Sequence, residues 1–308
     1  MNLPPELLTV ILELAICDNS HGRPSDILRV NSTFRTIGEQ VLYKNLKFYS
    51  SHQLQLFSEG KSPVKRNPRT LLVQLSGGST DFDVFIHLAG VLRRCGARLP
   101  CPTSFDEGYQ IPLERFSLCL HSHARNPHLR YVYEALSLAN PKIFEWMGPD
   151  PKHHFSIAIV PTAAHHLFKA IATWSAIEHI VLTNLSFPPE YLGIPVPTSP
   201  PKPLLPPLSS LRTLYLGQAT FVNPNTIAAT VCLPDQHNLE SVHLVDTYRE
   251  SIWGPRIRRS DLEHASLTFQ IEMPPDARIA RIRQIVKCEA LTERIMGGDR
   301  VEGLLTLD

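Results

Sequence analysis

Histidine is the reactive residue type this chain uses most freely, with 14 copies in 308 residues. In "LHSH", His121 and His123 fall on one face of an expected strand, with Cys119 just before them and His128 just after. Imidazole and thiolate at that spacing are metal-ligand chemistry. A second ligand pair at finger-like spacing is missing. His153–His154 and His165–His166 are adjacent pairs, and neighbouring residues on a regular element point apart. The expectation is therefore solvated or hydrogen-bonded histidines, with no metal and no cofactor.

Other chemical signatures are weaker. "EGKS" at 59–62 ends like a phosphate loop, but Gln55 stands where the leading glycine belongs and no strong strand runs into it. Asp81 with Asp83, and Asp106 with Glu107, read as helix caps and turn residues. No G-x-G-x-x-G, G-x-S-x-G or H-E-x-x-H pattern occurs. The chain is expected to be a non-enzyme.

The elements that would carry such groups fall into two regions. Pro4 and Pro5 suit a first helical turn, and Glu6 sits at its positive end. Leu7, Leu8, Ile11, Leu12 and Ala15 continue as a broad apolar stripe. Gly22 and Pro24 break that helix, and Ser25 is the expected N-cap of the next. Ile27, Val30, Phe34, Ile37 and Val41 repeat at helical spacing, with a bend expected at Asn31–Thr33. Residues 1–48 are thus expected to form two or three short amphipathic helices, followed by a linker at 49–69.

From residue 70 to 308 the pattern is strand-like runs alternating with helical stretches. Strands are expected at 70–78 and 113–120, and helices at 81–96, 128–141 and 163–174. A unit spaced L-x-x-L-x-L recurs at Leu113, Phe116, Leu118; at Ile177, Ile180, Leu182; at Leu211, Leu214, Leu216; and at Leu239, Val242, Leu244. Leu262, Ala265 and Leu267 fit it weakly. The unit is constant and the period irregular, which resembles a degenerate leucine-rich repeat. A generic α/β sheet is the alternative. Residues 187–208 are proline-dense and are expected as an extended loop. "ARIARIRQIVKC" (277–288) is expected as a core-capping helix with an arginine face.

Taken together, "LPPELLTVIL" and "DILRVNSTFRTIGEQVLYKNL" resemble the F-box. Leu3, Pro4, Glu6, Leu7 and Leu8 match its L-P-x-E-[IL]-[LI] opening, and Ile11 with Leu12 its apolar pair. Asp26, Ile27 and Leu28 match helix two; Val30, Phe34 and Arg35 the third run; Leu42, Tyr43 and Leu46 the close. Asn31 replaces the family's usual cysteine, and the connection after the first helix is long. The resemblance spans residues 1–48. It implies an α+β chain, in which a small helical F-box precedes an irregular α/β, leucine-rich-repeat-like domain. It further implies a substrate-recognition subunit of an SCF-type cullin–RING ubiquitin ligase. Leu3, Pro4, Leu8, Ile11, Leu12, Val30, Phe34 and Leu42 would then face a Skp-type adaptor or the helical core that shapes its site. A cullin would be reached through the adaptor, and the remainder would bring a protein client. A non-ligase interaction scaffold is the second reading, and a histidine-dependent enzyme or metal protein the third.

Composition bounds these readings. Hydrophobic residues make up 43% and charged residues 19%, enough for a packed core. A net charge of +1 provides no electrostatic footprint for nucleic acid or an anionic membrane. Six cysteines without C-x-x-C spacing read as free thiols of a reducing compartment. With no secretory leader and no 18-residue apolar run, cytoplasm or nucleus is the expected location.

Overall fold

The computed structural model describes residues 3–17, 24–61, 64, 67–77, 81–96, 110–150, 155–187, 202–233, 238–269, 271–292 and 305–308. Cys101, Asp106, Glu107, His153, His154 and most of the proline-dense loop lie outside them.

Three helices open the chain: α1 (Pro5–Cys17), α2 (Pro24–Leu28) and α3 (Ser32–Lys44). Leu8, Leu12 and Ile16 recur every four residues, so they share one face of α1. They pack with Val41 of α3, flanked by Ile27, Phe34, Ile37 and Leu42. The expected bend is real and has a cause. Asn31 is extended and its side-chain oxygen accepts from Phe34 N at 2.8 Å, capping α3. Ser25, read as a cap, instead lies within α2. Gly38 lets α2 approach α3: a Cβ there would stand 2.5 Å from Leu28 Cδ2.

The rest is a nine-stranded sheet: β1 (Asn45–Phe48), β2 (Thr70–Gln74), β3 (Ile111–Cys119), β4 (Ala139–Met147), β5 (His179–Thr183), β6 (Thr213–Gly217), β7 (Ser241–Val245), β8 (Val286–Ala290) and β9 (Leu305–Thr306). Spatial order equals chain order. Strands β1 to β8 run parallel and β9 is antiparallel. Parallel neighbours need a crossover. Those described include α4 (Ser51–Glu59), α5 (Val84–Gly96), α6 (Tyr131–Leu136), α7 (Pro161–Ile171), α8 (Pro224–Cys232), and α9 (Arg259–Leu267) with α10 (Pro275–Ile285). The chain is a mixed α/β protein, with ten helices and a mostly parallel sheet among the described residues.

Register is held without slip across eight strands. Leu46, Leu71, Phe116, Phe144, Ile180, Leu214, Val242 and Val286 form one cross-strand row. Phe48, Val73, Leu118, Trp146, Leu182, Leu216, Leu244 and Cys288 form the next. All sixteen are buried, in one core with the inward sides of the helices. A one-residue slip would turn a strand's whole set outward, so burial of one face pins the pairing. The two buried indoles are satisfied: Trp146 donates to Leu120 O and Trp174 to Leu136 O, both at 3.1 Å.

Several expectations are corrected. Residues 49–69 are not merely a linker, for they contain α4, capped by Ser50 and carrying the fully buried Leu54. No residue separates Lys44 of α3 from Asn45 of β1. Leu262, Ala265 and Leu267 belong to helix α9, not to a strand. The helix expected to 141 stops at Leu136, and Ala139 opens β4. The helix expected to 288 stops at Ile285, and Val286 opens β8. Two of its three arginines reach neighbouring helix ends: Arg278 donates to Ser266 O and to Phe269 O, and Arg281 to Val231 O at 2.7 Å, while Arg283 stays exposed. Arg278 and Arg281 thereby satisfy carbonyls at or near the C-terminal ends of α9 and α8, where orphan acceptors and negative dipole ends favour cations.

Candidate functional site

Helix α1 carries two apolar stripes. The inner one is Leu8, Leu12 and Ile16, with Leu12 only 1% exposed. The outer one is Leu3, Leu7, Val10, Ile11 and Leu14, reaching 67% exposure at Leu14. Its spacing of roughly four, three and four residues is helical, so these side chains form one continuous band. Val30, in the turn between α2 and α3, is 61% exposed. Beside it, an open groove of about 620 Å³ is lined by Leu28, Arg29, Asn31, Ser32, Arg35 and Glu39. A contiguous uncovered apolar band on a small module is the usual mark of a partner surface.

The eight residues singled out from sequence divide between exposed positions and the module's core. Leu3, Pro4, Ile11 and Val30 are exposed. Leu8 and Leu12 sit in the module's own core and are closed to a partner, while Phe34 and Leu42 are half-buried against that core. Leu7, Val10 and Leu14 complete the outer band. Their spacing was the signal that could have found them, since 3, 7, 10, 14 is as helical a series as 8, 12, 16.

A second open surface is the sheet face opposite the core. Parallel sheets are nearly always covered on both faces. Here one row across that face runs Lys47, Leu72, Ser117, Glu145, Val181, Tyr215, His243 and Lys287, and apart from Ser117 its members are half-buried or exposed. Its one carboxylate is satisfied within the chain, while the buried Nε2 of His243 makes no hydrogen bond among the described residues. Glu145 accepts from Arg115 at 3.1 Å and from the Ser117 hydroxyl at 2.6 Å. His179 Nδ1 lies 2.8 Å from Thr213 Oγ1, and the Tyr215 and His243 rings are 6.2 Å apart. Burial first, and then the charges of Asp246 and Glu289, push the Tyr215 phenol above its ordinary pKa.

Where β5, β6 and β7 end, Asn184, Gln218 and Asp246 all take left-handed backbone, at φ 59°, 47° and 50°. This is an uncommon conformation for a side-chain-bearing residue. The three occupy equivalent positions in register and turn the chain off the sheet in the same way. Asn184 Nδ2 donates to Gln218 Oε1 at 2.6 Å and to Ser156 O at 3.1 Å.

The His121 and His123 rings lie 5.8 Å apart, but among the described residues they join no cluster of three metal-ligating side chains. His121 pairs with Asp150 at 2.9 Å, while His128 lies 3.7 Å from Asp83. The Cys119 thiol reaches Gly148 O at 3.8 Å, with its pKa raised by burial and then by Asp150. Among the described residues, the donor set that comes together, within 4.8 Å, is Asp81, Asp83 and His87 at the start of α5. There Asp81 accepts from Asp83 N at 2.9 Å, and carboxylates complement the positive end of the helix. His165 and His166 sit side by side on α7, with His166 lowered in pKa by burial first and then by His165 and Lys169.

No described helix is long and apolar enough to cross a membrane. Compared with known proteins, the chain matches no family model and no curated protein.

Proposed function

We propose that the chain is a substrate-recognition subunit of an SCF-type ubiquitin ligase, in the cytoplasm or nucleus. It docks a Skp-type adaptor, and through it a cullin, by the outer face of α1 together with Val30. The sheet domain, read as a degenerate leucine-rich repeat, holds a protein client. Such a subunit has no catalytic residues of its own and works by raising the local concentration of client beside the charged transfer enzyme.

The observation that carries this reading is the doubly apolar α1. Its inner stripe already satisfies the module, so the outer stripe serves something outside it. Burying the half of each side chain that is still exposed contributes about 1 kcal/mol per residue, so the stripe supplies an apolar centre that further contacts must supplement against the cost of association. The F-box resemblance of residues 3–46 names the partner. Parallel strands in strict chain order, each presenting the same two buried residues, support the repeat-like reading of the remainder.

Titration with a purified Skp-type adaptor tests the proposal. Binding is expected for the native chain and is lost in Leu7→Asp with Leu14→Asp. A native chain that fails to bind, or a variant that binds as tightly, overturns it. The second reading, a scaffold that engages the adaptor without ubiquitin transfer, draws on the broad open sheet face. Co-purification of a cullin, and accumulation of a client on depletion, separate the two.

A further inference from the structure

The connection entering α5 brings two carboxylates and an imidazole together. Asp81, Asp83 and His87 each place one donor atom within 4.8 Å of the others. The two aspartates have local duties. Asp81 accepts from Asp83 N at 2.9 Å, and Asp83 O accepts from His87 N at 2.9 Å, so they shape the turn and the first helical bond. The His87 imidazole has no such duty. It is half-buried, and among the described residues it makes no hydrogen bond or ion pair, although both carboxylates stand close by. Residues four apart share one side of a helical turn, which sets His87 beside Asp83. A capped turn needs no histidine there; a bound cation does.

The spacing fits one ion. Three atoms no farther apart than 4.8 Å share a centre within about 2.8 Å of each, and zinc bonds to imidazole nitrogen and carboxylate oxygen are about 2.0–2.2 Å long. Side-chain movements of under about 1 Å therefore close the set. A cation there also offsets the mutual repulsion of the two carboxylates. The donor types select the ion. Imidazole nitrogen with carboxylate oxygen suits Zn²⁺, whereas Ca²⁺ and Mg²⁺ take oxygen alone. The frame is braced from the connection after β3. Buried Asn126 donates through Nδ2 to Phe82 O at 3.0 Å and accepts through Oδ1 from His128 N at 2.7 Å. It thus holds the residue between the two aspartates, and His128 Nε2 stands 3.7 Å from Asp83 Oδ1. An outer group that orients a ligating carboxylate adds to metal affinity.

We propose that Asp81, Asp83 and His87 form a zinc site, with His128 as the outer partner of Asp83. Three protein ligands leave a tetrahedral ion one position open to water. The site shares no residue with the outer face of α1 and does not rest on the adaptor reading. An ion that binds the folded chain stabilises it, so loading is expected to raise the thermal midpoint.

Zinc titration of the untagged full chain tests this. The chain is stripped with a chelator and titrated with Zn²⁺ in excess Mg²⁺. Bound zinc is counted by equilibrium dialysis with elemental analysis, and thermal unfolding is followed by circular dichroism. The native chain is expected to hold one equivalent of zinc that His87→Gln lacks, and to show a zinc-dependent rise in midpoint that His87→Gln does not. Counting the difference between the two chains sets aside zinc held by other histidines and thiols. His128→Ala is expected to weaken that equivalent about ten-fold, and Asp81→Asn by more. His121→Ala is expected to leave it unchanged. His87→Gln breaks no hydrogen bond among the described residues, so it decides the outcome if Asp81→Asn fails to fold. A native chain that binds no more zinc than His87→Gln, or a site that takes Ca²⁺ in preference to Zn²⁺, overturns the proposal.

Discussion

Arg256 and Asp246 form an ion pair at 3.0 Å in which both side chains are almost wholly buried. The pair ties three segments together. Asp246 directly follows β7 and also accepts from Leu291 N and Thr292 N, while Arg256 donates to Thr292 O and lies over the Tyr248 ring. Desolvating two charges is costly; backbone N–H groups offset part of it at Asp246, whereas Nε and Nη1 of Arg256 make no hydrogen bond among the described residues. Arg256→Ala strands a carboxylate in the interior and is expected to cost about 3–5 kcal/mol, read from the denaturant midpoint. Joint replacement by Asp246→Asn and Arg256→Met is expected to cost less than the single change.

The two stripes of α1 respond oppositely to substitution. Leu12→Ala opens a cavity in the module's small core and is expected to cost about 2–5 kcal/mol. Leu14→Ala removes only exposed surface and is expected to stay within about 0.5 kcal/mol. Thermal unfolding of both variants checks the contrast. Equal losses would mean that the outer stripe is buried within the chain.

The left-handed turn at Asn184 tests backbone against side chain. Asn184→Gly keeps the conformation available and loses the bonds to Ser156 and Gln218, whereas Asn184→Ala loses both. Alanine is expected to be the worse of the two, by about 1 kcal/mol. Gly148→Ala acts on the same place, because its Cβ would stand 2.9 Å from the Asn184 amide carbon and oxygen.

Burial governs the thiols. It pushes Cys95 and Cys288 up to about 12 and Cys232 up to about 11, with nearby arginines offsetting only part of the effect. At about pH 8 these groups are almost entirely protonated, and the thiolate is the reactive form. Alkylation followed by peptide mass spectrometry is expected to label them only as the protein unfolds. Rapid labelling of the folded chain would contradict this.

Glu263 provides a pH dependence with a definite sign. The hydrogen-bonded guanidinium of Arg283 holds its carboxyl below the ordinary 4.5, helped by Arg259 and His264 and opposed by partial burial. A carboxyl whose folded pKa is depressed contributes stability above its unfolded value, and that contribution is lost as pH falls through the folded value. Arg283→Gln is expected to flatten the fall in stability between about pH 5 and about pH 3, measured by urea unfolding at each pH.

Much of the architecture was legible in the chain. Four L-x-x-L-x-L units are strands β3, β5, β6 and β7, because alternation plus one more apolar position three residues earlier is a local signature. The helical spacing of residues 5–17 and 32–44 was equally plain. Strand β1 escaped because only Leu46 and Phe48 mark it, and β8 because its alternation continues the helical apolar series of α10 without a break. Helix α9 mimicked the strand unit because i, i+3 and i+5 also fall within one broad helical face.

Local periodicity thus determined which residues share a face, and hence that α1 is apolar on more than one side and that a strand-bearing domain follows it. Which apolar face of α1 turns inward was decided only when α3 packed against Leu8, Leu12 and Ile16. Which strands lie side by side was likewise not legible, because the members of the cross-strand row from Leu46 to Val286 lie 25 to 45 residues apart along the chain. They become neighbours about 4.8 Å apart only through the register that burial of one face imposes.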